Sequence, residues 1–430
     1  MDKSRKGEVN VMKLNTRRTI LIGFAFLSIC AFWQMYDMVV PLILRDTYHV
    51  GDTASGVIMA MDNILALFML PLFGRLSDRC TSKLGRRMPF IVLGTIAAII
   101  SLTALGFAQR HGGLAAFMVC LGCLLVSMGT YRSPAVALMP DVTPKPLRSR
   151  ANAVINLMGA LGGVYTLIAI QLLVREDVSG NTDYMRLFFA VAAVMALAVV
   201  VLLGRVKERA LHDAMPPEED EESGSGKLPA PVLRSLLLIL FSVFFWYMGY
   251  NAVTTAYSKY FTRLWGDLAG SANCMMIATV GAVVSYIPVG ALSSKIGRKR
   301  MILIGVAILA VCFGSATFIR DFSPFIYVLF VLIGFAWAAI NVNSYPMVVE
   351  ISRGADVGRY TGYYYTFSMA AQIVTPVLSG WLLEYVGYGT LFPYAAGMVA
   401  VSFVTMLLVK HGDVKPERAK SVLENFDAGD

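Results

Sequence analysis

Charged residues are scarce in this chain. Lys, Arg, Asp and Glu make up 15% of its 430 residues, whereas a soluble globular protein has about 25%. Histidine is scarce as well, with four residues, and none of them lies in the middle of an apolar run. The sequence has no metal-ligand spacing and no G-x-S-x-G motif. We therefore expect no enzyme, no catalytic residue, no cofactor and no metal, and an intramembrane enzyme or receptor finds little support.

What the chain does have is apolar sequence, at 57% hydrophobic residues. These residues form about twelve runs that can each cross a bilayer, since about 30 Å of hydrocarbon needs roughly 20 residues of helix. The runs lack the period-two alternation of a membrane barrel, and backbone groups in lipid must be satisfied internally. The sequence therefore predicts an all-α integral membrane protein with twelve transmembrane helices and the lipid bilayer as its surroundings.

One polar segment divides the chain. Residues 205–231 are rich in Pro, Gly, Ser and acids, so we predict a disordered cytoplasmic linker there. It separates six-helix bundles at 17–204 and 232–410, with cytoplasmic tails at 1–16 and 411–430. The first apolar run is not followed by a small-residue cleavage site, so we expect it to be retained as a helix.

The formal charge of +9 has a one-sided distribution. With the N-terminus inside, most of the 37 Lys and Arg residues fall on inner loops and tails, which is the positive-inside pattern. We therefore expect a multi-pass protein of the plasma membrane with both termini in the cytoplasm. The basic charge is explained by this orientation, and we expect no nucleic-acid partner.

The two halves share features at similar offsets. The first has "GRLSDRCTSKLGRRMP" at 74–89, and the second has "GALSSKIGRKR" at 290–300. Asp141 lies nine residues before Arg150, and Glu350 lies nine residues before Arg359, at an offset of 209 residues (141 to 350). Parallel six-helix repeats of this kind are a known transporter architecture, with substrate bound near the midplane between the repeats.

The segment 74–89 resembles the signature loop of the major facilitator superfamily, and the resemblance covers nearly the whole chain. "SDRCTSKLGRRMPFI" and "MPDVTPKPLRSRANAVINL" (139–157) resemble the sucrose-transporter branch, near the glycoside–cation symporters. The resemblance implies two pseudo-symmetric six-helix bundles and cation-coupled import of a sugar or glycoside by alternating access. A monomer is the default for this architecture.

In that superfamily the signature loop acts as a conformational latch. The resemblance places the latch at Gly74, Asp78, Arg79, Gly85, Arg86 and Arg87. The second-half copy has Ser294 in place of Asp78, so we expect only the first latch to be electrostatic. The repeated residues Asp141, Arg150, Glu350 and Arg359 are predicted to form gate pairs, and the alternative is that they are ordinary charges at helix ends.

Three ionisable residues fall inside apolar runs, where charge is costly and usually marks a pathway. At 1.5 Å per residue, Arg132 lies about 12 Å, Asp62 about 20 Å and Asp37 about 27 Å from the inner ends, a ladder rather than a cluster. A carboxylate in a dry site takes up a proton more readily, so we predict that Asp62 carries the coupling proton. Asp37, one helical turn after Trp33, is predicted to bind a sugar ring.

Each of these three residues also has an alternative interpretation without a role in transport. Asp37 can be a residue that reaches the outer surface, and Asp62 with Arg132 can be a structural pair. Melibiose-type symporters have a second acid one turn away, but Ile58 and Ala66 occupy those positions here. The lack of a second acid favours H+ over Na+ as the coupling ion. Plant-type members have an arginine two residues after the proline in the fourth helix, whereas Arg132 precedes Pro134 by two. The sequence therefore does not determine which sugar is transported.

Neutral polar residues complete the predicted pathway, with packing as the alternative for each of them. They are Gln34, Asn63, Asn152 and Asn156 in the first half and Tyr250, Asn251, Asn341, Asn343, Tyr365 and Gln372 in the second. Neutral amides and tyrosines opposite acids suit a polyhydroxylated neutral substrate. The competing function is a proton-coupled drug or metabolite exporter of the same superfamily, but the expected proline signature is missing from "INLMGALGGVYTLIAIQ".

Overall fold

A computed structural model describes residues 14–144, 147–176, 182–213, 229–266, 268–351 and 357–412, without the side chains of 149–150, 176, 212–213, 349–350 and 357–359. Among these residues, twelve helices are long and apolar enough to cross a membrane, which confirms the predicted fold class. They are α1 (Thr16–Leu42), α2 (Asp52–Asp78), α3 (Met88–His111), α4 (Leu114–Asp141), α5 (Arg148–Leu173), α6 (Met185–Arg205), α8 (Ala230–Leu264), α9 (Leu268–Ile296), α10 (Arg298–Ala316), α11 (Phe325–Glu350), α12 (Val357–Tyr385) and α13 (Leu391–Leu407).

The remaining elements are short. A π-helical turn, Ile43–Thr47, extends α1, and a 3-10 turn, Tyr388–Thr390, precedes α13. The strands β1 (Arg175–Glu176) and β2 (Thr182–Asp183) form an antiparallel pair in which Arg175 lies opposite Asp183. The short helix α7 (Glu208–Asp213) follows α6.

The two halves pack in the same way. In the first half, α1 contacts α5 and α6, α4 contacts α2 and α3, and α3 contacts α6. The equivalent second-half helices make the same five contacts, since α8 contacts α12 and α13, α11 contacts α9 and α10, and α10 contacts α13. Between the halves, the contact of α2 with α12 is matched by that of α9 with α5. The halves are therefore related as two copies of one six-helix unit.

Four of the prolines inside the helices follow the same repeat. Pro71 in α2 corresponds to Pro288 in α9, and Pro134 in α4 corresponds to Pro346 in α11. A proline in a helix interior removes one backbone hydrogen bond and kinks the helix. From these matched positions we expect the two halves to have similar helix shapes around the space between them.

Successive helices reverse direction, so the loops lie at two faces of the bundle. We call the face with the described loop residues 79–87, 142–144 and 206–213 the basic face, and the face with residues 112–113, 174–176, 182–184 and 265–266 the opposite face. The described ends of the predicted disordered linker 205–231 lie at the basic face, and its residues 214–228 lie outside the described part of the chain. Its first residues differ from the prediction, because α7 is helical and Glu208 is buried.

The seam between α2 and α12 brings the backbones of the two halves very close together. A Cβ atom added at Gly56 would lie 2.0 Å from the Pro376 carbonyl oxygen, and one added at Gly380 would lie 2.3 Å from that of Asp52. A hydrogen in place of a side chain is what permits this approach. The two glycines therefore fix how closely the halves meet.

This seam gives a first prediction. Gly56→Ala should lower the free energy of unfolding by about 1–3 kcal/mol, because the added methyl group meets a backbone carbonyl that has no room to move. Gly122→Ala in α4 is the matched control, since no atom lies within 4 Å of its added Cβ. Thermal unfolding in detergent measures both variants, and equal melting temperatures for the two would contradict the proposed tight seam.

Candidate functional site

A cavity of about 230 Å³ lies between the two halves, and we call it the charged cavity. Its lining is Trp33 and Asp37 from α1, Met59, Asp62 and Asn63 from α2, Arg132 from α4, Asn251 and Thr255 from α8, and Gln372 and Pro376 from α12. Seven of these residues belong to the pathway predicted from the sequence. The first half supplies all the charged groups of the cavity and the amide of Asn63, and the second half supplies the amides of Asn251 and Gln372.

The expectation of a ladder across the membrane is wrong, because Asp37, Asp62 and Arg132 line this one cavity. The depths, taken at about 1.5 Å per residue, apply to Cα positions along straight helices and do not include the length of the side chains. An arginine reaches several ångströms beyond its own backbone, and transmembrane helices are commonly tilted. The three charged groups can therefore act on the same bound molecule.

Asp62 and Arg132 have uncharged partners in the cavity. Asn63 Nδ2 donates a hydrogen bond of 2.7 Å to Asp62 Oδ1. The Arg132 guanidinium carbon lies 5.5 Å from the centre of the Trp33 ring, within the range of a cation–π contact. Among the described side chains, no ion pair of 4.0 Å or less joins Arg132 to Asp37 or Asp62. A fixed structural pair is therefore not what the geometry shows, and the charges face the cavity.

Two buried donors in the lining also lack a protein acceptor. Trp33 Nε1 and Asn251 Nδ2 have no hydrogen-bond partner among the described residues. An unmade hydrogen bond at a buried polar atom is costly, so such donors commonly mark a place where a ligand or water binds. The charged cavity thus combines carboxylate acceptors with three donor groups.

A second cavity of about 220 Å³, here the aromatic cavity, also lies between the halves. Its lining is Phe26 and Cys30 from α1, Asn156, Leu157, Gly159 and Ala160 from α5, Tyr250 from α8, Ala278, Thr279, Ala282, Val283 and Tyr286 from α9, and Trp337 and Asn341 from α11. The rings of Tyr250 and Trp337 are stacked, with centroids 3.8 Å apart and planes at 16°. Since Tyr250 precedes Asn251, α8 contributes neighbouring residues to both cavities.

Trp337 lines this cavity but was not predicted from the sequence. Its spacing offered a signal, because Trp337 lies one helical turn before the predicted pathway residue Asn341. Tryptophan is common in apolar helices as a packing residue, so this spacing alone did not single it out. The stack with Tyr250 is a contact between different helices, and no local pattern reveals it.

Four predicted pathway residues line neither cavity. Gln34 lies beside α5, with Oε1 3.7 Å from a Cβ built at Gly163. Asn343 is buried and donates to the Ala339 carbonyl oxygen of its own helix at 2.8 Å. Tyr365 packs against other tyrosines of α11 and α12, and Asn152 is half-buried on α5.

At the basic face, the signature loop is joined to the end of α4 by ionic contacts. Arg87 Nε donates to Asp141 Oδ2 at 2.7 Å, and the same guanidinium forms an ion pair with Asp78. It also donates to Ser77 Oγ at 2.5 Å and to the Gly74 carbonyl oxygen at 3.2 Å. Arg86 lies at 4.0 Å from the Asp141 carboxylate, and Arg79 is exposed.

The predicted gate pairs are only partly within the described side chains. Those of Arg150, Glu350 and Arg359 fall outside them. Asp141, predicted to pair with Arg150, pairs instead with Arg87 and lies 4.0 Å from Arg86 among the described side chains. Arg87 thus connects the predicted latch residue Asp78 with the predicted gate residue Asp141.

At the opposite face, a buried ion pair joins the two halves. Lys259 Nζ of α8 donates to Asp52 Oδ1 of α2 at 2.7 Å, and the two residues are 4% and 8% exposed. Lys259 lies near the end of α8, and its partner is 207 residues away in the sequence, so no local pattern could have paired the two residues.

Further hydrogen bonds between the halves surround this pair. Tyr388 donates its hydroxyl proton to Asp52 Oδ2 at 2.7 Å, and Arg45 donates to the Lys259 carbonyl oxygen at 2.9 Å. The Thr53 backbone N–H donates to Glu384 Oε2 at 2.7 Å. Because these bonds come from both halves, they close the opposite face of the bundle.

Twelve membrane-crossing helices in two matched bundles, with a polar cavity between them, define a membrane transporter rather than an enzyme. The family model of the Major Facilitator Superfamily matches residues 22–264 and 239–426. The chain therefore belongs to the major facilitator superfamily, which confirms the resemblance inferred from the signature loop.

Relatives and a solved structure agree with this assignment. The chain is 27% identical over 211 residues to the sucrose transport protein SUT3 of Oryza sativa subsp. indica, over 42% of each protein. It is 28% identical over 228 residues to the human proton-associated sugar transporter A, over 49% of this chain and 29% of that protein. The chain thus spans less than half the length of either relative. A POT family transporter in complex with 5-aminolevulinic acid has the same fold, with a TM-score of 0.70, 12% identity and coverage of 91% of this chain and 95% of that one.

The buried pair gives a second prediction. Lys259→Met or Asp52→Asn alone should lower the free energy of unfolding by about 3–5 kcal/mol, because each leaves a buried polar partner uncompensated. The double variant should recover most of this loss. The exposed pair of Arg110 with Asp183 is the control, since Arg110→Gln should cost no more than about 1 kcal/mol. Denaturation in detergent micelles measures all four variants, and additive losses in the double variant would contradict the coupling.

Proposed function

We propose that the protein imports a sugar or glycoside together with a proton by alternating access. The observation that carries this proposal is the charged cavity, where Asp37, Asp62 and Arg132 from one half face Asn251 and Gln372 from the other. A molecule bound there contacts both halves at once. Its binding energy therefore depends on how the halves are arranged, which is the requirement for a transported substrate.

The chemistry of the lining supports a polyhydroxylated neutral substrate. A sugar hydroxyl both donates and accepts hydrogen bonds. The Asp37 carboxylate accepts, whereas Arg132, Trp33 Nε1 and Asn251 Nδ2 donate. The aromatic cavity alongside offers apolar surface for the C–H faces of a ring. The names of the two curated relatives, one a sucrose and one a proton-associated sugar transporter, point the same way.

We assign the coupling proton to Asp62. It lies in the charged cavity with a single amide partner, Asn63. A sodium site of the melibiose type needs a second acid one turn away, but Ile58 and Ala66 occupy those positions. A carboxyl group that releases its proton toward Arg132 couples proton movement to the same cavity that holds the substrate.

The charge distribution supports an orientation for transport. The basic face, rich in Lys and Arg, faces the cytoplasm by the positive-inside pattern, and both termini lie on that side of the plasma membrane. The opposite face is then extracellular and is closed by Asp52, Lys259 and their neighbours. In this arrangement the latch around Arg87 and the pairs predicted at Arg150, Glu350 and Arg359 act at the cytoplasmic gate.

Proteoliposomes test the function. The purified chain, reconstituted with an inward proton gradient, should accumulate one or more members of a panel of labelled monosaccharides, disaccharides and glycosides. Collapse of the gradient with a protonophore should abolish accumulation. Uptake that follows a sodium gradient instead would move the coupling ion to Na+. Proton-driven extrusion of hydrophobic cations without sugar uptake would replace import by the exporter function.

The role of Asp62 gives a third prediction. Asp62→Asn should lose proton-driven accumulation and retain exchange of labelled for unlabelled sugar, because asparagine fills the same space but cannot bind and release the proton. Asp321→Asn makes the same chemical change at an exposed position between α10 and α11 and should behave like the unmodified protein. Accumulation by the Asp62 variant at the level of the unmodified protein would remove Asp62 from the coupling step.

The aromatic cavity gives a fourth prediction. Trp337→Ala should raise the KM of uptake about tenfold, since aromatic contacts contribute about 0.5–1.5 kcal/mol beyond the buried area. Trp381→Ala is the matched control, because Trp381 is 46% exposed on the outside of α12. Initial uptake rates over a range of sugar concentrations give KM for both. An unchanged KM in the Trp337 variant would exclude the aromatic cavity from substrate binding.

A further inference from the structure

One buried acid at the basic face is used by neither cavity. Glu208 belongs to α7, in the connection between the two halves, and is 2% exposed. Its Oε1 accepts hydrogen bonds of 2.8 Å from the backbone N–H groups of both Arg86 and Arg87, and its Oε2 accepts one of 2.9 Å from Met88. A single carboxylate thus binds three successive N–H groups at the start of α3.

The start of α3 cannot satisfy these groups by itself. The first N–H groups of a helix lack partners within the helix and are usually capped by a nearby Ser, Thr, Asp or Asn. Arg87 stands at the cap position, and its side chain makes no capping hydrogen bond. The cap comes instead from a residue about 120 positions later in the chain. The negative charge also suits the positive end of the helix dipole.

The loop is shaped to receive this carboxylate. Gly85 has a φ angle of +120°, which is a conformation that other residues rarely adopt. A Cβ atom added there would lie 2.3 Å from Glu208 Oε2. Both the backbone conformation and the lack of a side chain at Gly85 therefore match the presence of Glu208.

The same three hydrogen bonds fix the backbone of the latch residue Arg87. Its guanidinium group contacts Asp78 and Asp141, so the position of its backbone decides whether those contacts form. The second half contains a comparable attachment. Lys299, at the position equivalent to Arg87, donates to the carbonyl oxygens of Leu407 and Val409 at the end of α13. In each half, the start of the third helix is bound to the chain near the end of the sixth.

From these contacts we infer that Glu208 is a positioning residue of the latch, which acts through Arg87 and ties the connection between the halves to the latch loop. The inference rests on the proposed function for the meaning of the latch, but the attachment itself does not depend on any substrate. The short helix that carries Glu208 therefore holds the loop that must close.

A native cysteine in the latch loop reports on this attachment. Cys80 is a free, half-buried thiol, and its rate of reaction with a maleimide can be followed by peptide mass spectrometry without removal of the other five cysteines. In the purified full-length protein, Glu208→Ala should raise the labelling rate of Cys80 about tenfold, and Glu208→Gln should raise it less. Net uptake should fall about tenfold, with equilibrium sugar binding within twofold of the unmodified protein.

The matched control is Glu384→Gln. The Glu384 carboxylate also accepts a backbone N–H bond at a helix start, that of Thr53, but at the opposite face. It should leave the Cys80 labelling rate unchanged. Should Glu208→Ala fail to fold, Gly85→Ala displaces the carboxylate from the other side and should speed Cys80 labelling likewise. Gly387→Ala is its control, with a φ angle of +126° and open space around the added Cβ.

The results separate this inference from the proposed function. An unchanged labelling rate in the Glu208 and Gly85 variants, while the unmodified protein takes up sugar, overturns the inference alone. Faster labelling in the Glu208 and Gly85 variants supports the attachment of Glu208 to the loop. If the unmodified protein at the same time takes up no sugar, the proposed function is overturned. Faster labelling with full net uptake overturns the role of Glu208 in the transport cycle.

Discussion

A charge inside a membrane protein must find a partner or face a polar cavity, because the surrounding hydrocarbon offers neither water nor counter-ions. Each ionisable group described here meets that constraint in a different way. Lys259 and Asp52 neutralise each other between the halves. Arg132 and Asp62 face a cavity, and their protein partners are uncharged. Glu208 is satisfied by backbone N–H groups. The first arrangement joins the halves, the second leaves charge available to a bound molecule, and the third shapes a loop.

The pseudo-symmetry of the fold and the asymmetry of the cavity have separate causes. The same five helix contacts recur in both halves, since packing depends on small residues and matched kinks that both copies retain. Side chains that face the space between the halves contribute little to that packing, so their chemistry differs from one half to the other. Asp62 and Arg132 lie in one half, whereas Asn251 and Gln372 lie in the other. A substrate bound between them contacts two chemically different surfaces, which the same repeated fold holds in place.

The sequence predicts the helices well because their signal is local. The run 53–75, for example, corresponds to a helix at Asp52–Asp78. Most of the predicted pathway residues line the two cavities, but their predicted arrangement as a ladder was wrong. The contacts missed at Lys259 and Glu208 both join residues more than one hundred positions apart, and a hydrophobicity pattern holds no information on such pairs. A charged residue near a helix end is most often a surface charge, and only the tertiary structure reveals a buried partner.

The nature of the contact at the opposite face suits a surface that must part and rejoin under the proposed alternating access. Separation of an apolar seam exposes apolar area to water, a cost that grows with the area exposed. Separation of Asp52 from Lys259 returns two charges to water, and their hydration offsets most of the lost attraction. The buried pair therefore fixes the register of the halves when they are closed, at a modest net energy. The close backbone approach at Gly56 acts in the same direction, since it depends on shape more than on buried area.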